Sequence, residues 1–166
     1  MATITLKGNE IHTNGELPKV GTKIHEFKLV KADLSEFNSS ELKGKKAILN
    51  IFPSLDTSVC ATSVRKFNEA AAKLDNVVVL CISKDLPFAA GRFCTVENIK
   101  NVIALSGFRD CEFGEETGVN VIDGPLAGLY ARAIIVLDEE GVIQYEELVP
   151  EITEEPDYKS ALDALK

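Results

Sequence analysis

Two almost uninterrupted apolar runs constrain the fold of this chain more than any other feature. They are Asn76-Val77-Val78-Val79-Leu80-Cys81-Ile82 and Ala133-Ile134-Ile135-Val136-Leu137. A strand covered on one face alternates polar and apolar residues, whereas a run that is apolar throughout is typical of a strand covered on both faces. The two runs therefore predict strands that other elements cover on both faces.

A helix is predicted immediately before the first of these two strands. In residues 58–74, apolar side chains recur at intervals of three and four, which is the spacing of one helix face; they are Cys60, Val64, Phe67, Ala71 and Leu74. The same kinds of pattern predict further strands at 28–30, 47–52, 102–105 and 142–145, and a closing helix at 157–166.

Turn residues complete the predicted topology. Two short alternating runs around Lys7-Gly8-Asn9-Glu10 predict an N-terminal β-hairpin, and Asp138-Glu139-Glu140-Gly141 makes the last two strands antiparallel. Strands that alternate with helices, followed by a hairpin and a helix, predict an α/β fold in which helices flank a mixed central sheet. With neither an internal repeat nor a long linker, we expect one domain over residues 1–166.

Charge and hydropathy exclude several classes of function. The chain has 26 acidic and 18 basic residues and a formal net charge of −8, which repels nucleic-acid phosphates and anionic lipid. No apolar segment approaches the ~20 residues that span a bilayer, and residues 1–8 lack the continuous apolar stretch of a signal peptide. We therefore expect no nucleic-acid or membrane partner and a cytoplasmic location.

The four cysteines are too few for a disulfide scaffold and are spaced for a different use. They stand at positions 60, 81, 94 and 111, so no pair has the CxxC spacing of zinc sites or of thioredoxin-type redox motifs. His12 and His25 are distant in sequence from all four. We therefore expect no metal site, and in a reducing compartment each cysteine is either an inert core thiol or a catalytic one.

Cys60 is the cysteine whose sequence context points most directly to chemistry. Asp56, Thr57 and Ser58 are good N-cap residues, so a helix is expected to begin within this trio, with Cys60 in its first turn. Free backbone N–H groups and the positive end of the helix dipole favour a thiolate there. The alternative is that Cys60 only begins the apolar stripe of the helix.

Thr57 and Arg132 bear on the same question. The Thr57 hydroxyl can hydrogen-bond to an incoming oxygen beside Cys60, or it can serve only as the N-cap. Arg132 stands immediately before the apolar strand 133–137, where a guanidinium that stays charged needs an anion nearby. A carboxylate is the ordinary partner and a thiolate is the alternative, and the sequence leaves both open.

The segment Pro53-Ser54-Leu55-Asp56-Thr57-Ser58-Val59-Cys60 resembles the PxxxTxxC active-site signature of the peroxiredoxins. Further stretches resemble the bacterial thiol peroxidase subfamily over essentially the whole chain, among them residues 50–54, 63–68, 80–83, 85–89, 92–94, 123–126 and 151–158. The resemblance implies a thioredoxin-like fold, with which the predicted order of elements is compatible. It also implies a homodimer that reduces hydroperoxides without a metal or an organic cofactor.

The resemblance further implies roles for five residues. Cys60 matches the peroxidatic cysteine, which attacks the peroxide and becomes a sulfenic acid. Cys94 matches the resolving cysteine, which forms an intramolecular disulfide that thioredoxin then reduces. Thr57 and Arg132 match residues that activate the thiolate and the peroxide, and Pro53 matches the residue that shields the site. Because a disulfide needs Cα atoms within ~7 Å, we expect the segments around both cysteines to rearrange on oxidation.

Three points stay open at this level. Cys81 is expected to be an inert core thiol, and Cys111 a spare surface thiol or an alternative resolving residue. Leu55, Val59 and Phe88 lie near the expected entrance and hint at alkyl or lipid hydroperoxides as substrates besides hydrogen peroxide. The competing functions are a protein thiol–disulfide oxidoreductase, against which the missing CxxC pair counts, and a non-enzymatic redox sensor or binding module.

Overall fold

A seven-stranded mixed sheet forms the centre of the computed structural model, which describes residues 1–166. The strands are β1 (Thr3–Leu6), β2 (Asn9–His12), β3 (Lys28–Lys31), β4 (Glu36–Asn38), β5 (Lys46–Ile51), β6 (Val77–Ser83), β7 (Ile103–Ser106), β8 (Ala133–Leu137) and β9 (Ile143–Leu148). The helices are α1 (Ser58–Ala71), α2 (Pro87–Val96), α3 (Phe113–Thr117) and α4 (Tyr158–Asp163), with a 3-10 turn at Ser39–Leu42. None of the helices combines the length and the hydropathy needed to cross a bilayer.

The strand order is β4-β3-β7-β6-β5-β8-β9. Strands β5, β6 and β7 are parallel, and the other pairs are antiparallel. The two apolar runs are β6 and β8, which lie on either side of β5. The predicted α/β architecture with a mixed sheet is therefore confirmed, and neither run forms an edge strand.

Both faces of the sheet are covered, as the apolar runs predict. Alternate residues of β8 belong to different hydrophobic clusters: Ile135 joins one of 18 buried residues, and Ile134 joins another of 14. Successive side chains of a strand point to opposite faces, so the clusters lie on opposite sides of the sheet. The second cluster contains Cys60 and is completed by residues from α1, α2 and α4.

Both predicted hairpins are present. Strands β1 and β2 form a separate two-stranded sheet joined by Lys7 and Gly8, both with positive φ (51° and 83°), as in a type I′ turn. Strand β9 returns antiparallel to β8 after Gly141. The Asp138 carboxylate accepts hydrogen bonds from backbone N–H groups in that turn, which supports the predicted connection.

Four features differ from the sequence prediction. Helix α1 ends at Ala71, although Leu74 still packs against the second cluster. Residues 86–93 read as a short helix in the sequence, whereas α2 continues through Cys94 to Val96. Strand β4 is only three residues long and exists through its pairing with β3, a contact that local pattern does not reveal. Helix α3 begins where the Asp110 carboxylate accepts hydrogen bonds from three successive backbone N–H groups.

Candidate active site

Strand pairing brings the segment before α1 next to the start of β8. In the antiparallel register of β5 and β8, Ile51 lies opposite Ala133. Residue 132 therefore lies beside the backbone that leaves β5 and leads to α1. This register, rather than any local motif, places Arg132 near Cys60 across 72 residues of sequence.

Helix α1 begins as its capping residues predict. Thr57 is the N-cap, and its Oγ1 accepts a hydrogen bond from the backbone N–H of Cys60 at 3.4 Å. The same hydroxyl donates to the carbonyl oxygen of Ser54 at 3.1 Å. Cys60 is the third residue of the helix, in the first turn. Thr57 thus serves as the cap and also fixes its own hydroxyl beside the cysteine.

The thiol of Cys60 and the guanidinium of Arg132 form a buried pair. Arg132 Nη2 lies 3.2 Å from Cys60 Sγ. Arg132 is 2% exposed and Cys60 is 0% exposed. Arg132 Nε donates to the carbonyl of Ile152 at 2.9 Å. None of the protein's ion pairs includes Arg132. Of the two kinds of partner left open by the sequence, a carboxylate or the Cys60 sulfur, the structure therefore places the sulfur at hydrogen-bond distance from this cation.

One nitrogen of the Arg132 guanidinium donates no hydrogen bond. Arg132 Nη1 is buried and has no hydrogen-bond partner. Buried donors are almost always paired, so an unpaired one on the guanidinium that contacts the Cys60 sulfur needs an explanation. A substrate oxygen bound beside Cys60 would supply the missing acceptor. Pro53, in the loop before the helix, is buried.

Comparisons with known proteins show the family to which the chain belongs. A Redoxin family profile matches residues 19–162. The thiol peroxidase of Corynebacterium glutamicum is 58% identical over 165 residues and that of Mycobacterium tuberculosis 56%, each match covering 99% of both chains. The chain belongs to the thiol peroxidase family of peroxiredoxins. Its membership makes it a thiol-dependent peroxidase.

Solved structures confirm the thioredoxin-like peroxiredoxin fold. A peroxiredoxin-like protein from Aquifex aeolicus superposes with a TM-score of 0.92 at 42% identity, covering 98% of this chain and 95% of that one. A thiol peroxidase from Chromobacterium violaceum superposes with a TM-score of 0.90 at 19% identity, covering 98% and 94%, which shows the same fold.

The other cysteines of this peroxiredoxin have different surroundings. Cys94 lies in the last turn of α2, half-buried against the cluster that contains Cys60, and burial raises the pKa of its thiol. Cys81 is buried in β6, where burial raises its pKa to about 12. Cys111 is exposed and belongs to neither large cluster. All four are free thiols, so the structure represents the reduced protein.

Two buried polar side chains, Ser63 and Asn50, hold the first turn of α1 against the sheet. The Ser63 hydroxyl donates to the carbonyl oxygen of Cys60 at 2.8 Å, and the Asn50 side-chain amide donates to the Ser63 hydroxyl at 3.2 Å. Asn50 lies in β5, so these contacts connect the helix turn to the sheet. They limit how far the Cys60 backbone can shift while α1 stays folded.

Tyr158, the first residue of α4, and Glu155 make contacts with α1 that the sequence does not single out. Tyr158 packs edge-on against Phe67, with ring centroids 5.2 Å apart, and donates its hydroxyl to Glu155 at 2.9 Å. Lys66 also pairs with Glu155 at 3.1 Å. The hydrogen bond from Tyr158 is the main cause that lowers the pKa of Glu155, while burial raises the pKa of Tyr158.

The sequence also does not single out Asp85, which contacts the loop before α1. Its carboxylate accepts hydrogen bonds from the hydroxyl of Ser54, the backbone N–H of Leu55 and the hydroxyl of Ser83, each at 2.7 Å. The available signal is positional: Asp85 follows β6, and polar residues after neighbouring parallel strands meet at one edge of a sheet.

The three apolar residues expected near the substrate entrance differ in exposure. Phe88 is 68% exposed on α2 and Val59 is half-buried, whereas Leu55 is buried at 5% exposure. Leu55 packs in the hydrophobic cluster that contains Cys60.

Proposed function

We propose that this peroxidase reduces hydroperoxides through Cys60, that Cys94 resolves the product, and that thioredoxin reduces the resulting disulfide. The observation that carries the proposal is the buried contact between Cys60 Sγ and Arg132 Nη2 at 3.2 Å. A buried guanidinium needs an anion, and the thiolate of Cys60 is placed to supply it. Organic hydroperoxides and hydrogen peroxide are the proposed substrates, and the proposed state in the cytoplasm is a homodimer.

The first step is nucleophilic attack on an oxygen of the peroxide. The Cys60 thiolate forms an S–O bond while the O–O bond breaks, giving a sulfenic acid and an alkoxide that takes up a proton to leave as an alcohol. Charge develops on the leaving oxygen, so donors aimed at it lower the barrier. Arg132 Nη1 is unpaired, and the Thr57 hydroxyl can turn from the carbonyl of Ser54 to the peroxide.

The second step joins two cysteines. The Cys94 sulfur attacks the Cys60 sulfur, an S–S bond forms, the S–O bond breaks, and the released hydroxide takes up the thiol proton to leave as water. The disulfide protects Cys60 from irreversible over-oxidation. Burial raises the pKa of the Cys94 thiol in the reduced fold. Movement of α2 that exposes Cys94 would therefore both bring it to Cys60 and ease its ionisation.

The test is a cysteine map after a single turnover. The reduced protein receives one equivalent of an organic hydroperoxide, is quenched with an alkylating reagent within seconds, and is analysed by mass spectrometry. We expect a Cys60–Cys94 disulfide, with Cys81 and Cys111 alkylated. The Cys111→Ser variant should give the same map, and Cys94→Ser should stop at a sulfenic acid on Cys60.

Other outcomes would change specific parts of the proposal. A Cys60–Cys111 disulfide would retain the peroxidatic role of Cys60 and remove the resolving role of Cys94. If Cys60 reacted no faster than the other thiols, the assigned site would be wrong. The reductant is tested separately: thioredoxin with its reductase should sustain peroxide consumption, and failure to do so would exclude thioredoxin as the partner.

A further inference from the structure

The half-buried Asp85 carboxylate connects, through hydrogen bonds, the two segments that must move for the proposed disulfide to form. Asp85 Oδ1 accepts a hydrogen bond from Ser54 Oγ, and Oδ2 accepts one from the backbone N–H of Leu55, both at 2.7 Å. Ser54 and Leu55 belong to the loop that leads to Cys60. Asp85 itself lies two residues before Pro87, where α2 begins and carries Cys94.

The parallel sheet explains why Asp85 can reach this loop. Strands β5 and β6 are parallel neighbours with Ile51 opposite Ile82, so the segments that follow them leave the same edge of the sheet. Asp85 is fixed on its own side by two buried serines. Ser83 Oγ donates to its carboxylate at 2.7 Å, and Ser106 Oγ donates to its backbone carbonyl. The carboxylate is therefore anchored to the sheet and holds the loop.

The hydrogen bonds continue from Asp85 to the cysteine. The carbonyl oxygen of Ser54 accepts from both the backbone N–H of Thr57 at 3.2 Å and its hydroxyl at 3.1 Å. Thr57 Oγ1 in turn accepts from the backbone N–H of Cys60. The position of Ser54 thus determines the position of the N-cap, and Asp85 determines the position of Ser54.

We propose that Asp85 is a positioning residue that holds Thr57 and Cys60 in the arrangement that reacts with peroxide. Because the same carboxylate resists displacement of the loop, it favours formation of the sulfenic acid and opposes formation of the disulfide. The inference rests on the proposed roles of Cys60 and Cys94. It adds a residue that acts through Ser54 and Thr57 without touching the substrate.

The expected signature is a change of opposite sign in the two chemical steps. In Asp85→Ala, the N–H of Leu55 and the hydroxyl of Ser54 lose a charged acceptor, so sulfenic-acid formation should slow by about 10-fold. Disulfide formation from the sulfenic acid should become faster by about threefold, because less folded structure opposes it. A general loss of structure would slow both steps, so the sign of the second change separates the two explanations.

The experiment is rapid-quench kinetics on the reduced protein with an organic hydroperoxide. A dimedone trap reports the sulfenic acid on Cys60, and alkylation with mass spectrometry reports the disulfide with Cys94. Asp85→Asn is the rescue variant, since its amide oxygen can accept from Leu55 and its amide nitrogen can donate to Ser54. It should stay within about threefold of the parent in both steps.

Asp56→Ala is the matched control. This carboxylate lies in the same loop, is 73% exposed, and meets only Arg92, at 3.6 Å. An exposed pair of this kind contributes little, so both rates should stay within about twofold of the parent. Thermal unfolding of each variant shows whether the fold is retained.

Three results would overturn the inference. The first is an Asp85→Ala variant with both rates unchanged, and the second is one with both rates reduced. If Asp85→Ala does not fold, Ser54→Ala replaces it. This variant should slow formation of the sulfenic acid and speed formation of the disulfide, each by a smaller factor than Asp85→Ala. Unchanged rates in Ser54→Ala would be the third contradicting result. A parent protein that forms no Cys60–Cys94 disulfide would instead show that the proposed function fails, and this inference with it.

Discussion

Cys60 and Cys81 are two buried thiols of one hydrophobic cluster, and their polar neighbours distinguish them. The residues are 0% and 2% exposed. Cys60 Sγ lies 3.2 Å from the charged guanidinium of Arg132, whereas Cys81 Sγ lies 3.7 Å from the neutral amide of Asn50. Burial raises the pKa of Cys81 to about 12. A buried cation at hydrogen-bond distance, rather than burial itself, therefore distinguishes Cys60, the proposed reactive thiol, from Cys81.

Their positions in the fold explain the different neighbours. Cys81 lies within β6, paired with Asn50 on one side and Ala104 on the other, so strands surround it. Cys60 lies in the first turn of α1, beside the end of β5, where the paired strand β8 begins. Charged side chains can reach the end of a sheet more readily than its middle.

Exchanging sulfur for oxygen at the two positions tests the comparison most strongly. Cys60→Ser should reduce peroxide consumption by more than about 10⁴-fold, because a hydroxyl is a far weaker nucleophile than a thiolate. Cys81→Ser should leave the rate within about threefold of the parent. Initial rates with a saturating reductant measure both. Comparable losses in the two variants would contradict the distinction between the thiols.

Removing the cation should have the next largest effect. Arg132→Met keeps much of the side-chain volume but removes the donors at Cys60, so the rate of Cys60 oxidation should fall by about 10²-fold to 10³-fold. The thermal midpoint should change little, because replacing a buried charge by an apolar side chain is often neutral or stabilising. Arg109→Met, on the exposed surface, is the control and should match the parent. A rate within tenfold of the parent would argue against the role of Arg132.

The smallest expected effect is a change in unfolding free energy at alkaline pH, which tests whether burial raises the pKa of Cys81. Its pKa is raised from 9.0 to about 12, so the folded state keeps a proton that the unfolded state loses. The stabilisation from this proton is complete below pH 9.0 and is lost as the pH rises toward 12. The difference in unfolding free energy between the parent and Cys81→Ala should therefore fall by about 1.4 kcal/mol per pH unit within that window.

Urea unfolding under reducing conditions at several pH values measures this difference. Comparing the parent with Cys81→Ala isolates the thiol from the tyrosines, such as Tyr158, whose pKa values burial also raises. A difference that stays constant between pH 9.0 and 12 would show that Cys81 ionises equally easily in both states.

Local pattern was sufficient to predict most of the architecture. Residues 133–137 form β8 with the predicted bounds, and the helix after Thr57 begins at the predicted cap. These features depend on hydrophobic runs and on N-cap chemistry, which lie within a few residues of sequence. Strand β4 and helix α3 were not predicted, because one depends on pairing with β3 and the other on the carboxylate of Asp110.

The sequence by itself determined the sheet, the helix start and the family signature around Cys60, because each is written in neighbouring residues. Only the tertiary structure decided which groups meet. It paired Arg132 with the Cys60 thiol through the register of β5 and β8, and it brought the Asp85 carboxylate to the loop before α1 through the parallel pairing of β5 and β6. Such contacts depend on strand register, which is set by the packing of the whole sheet rather than by the residues that make the contact.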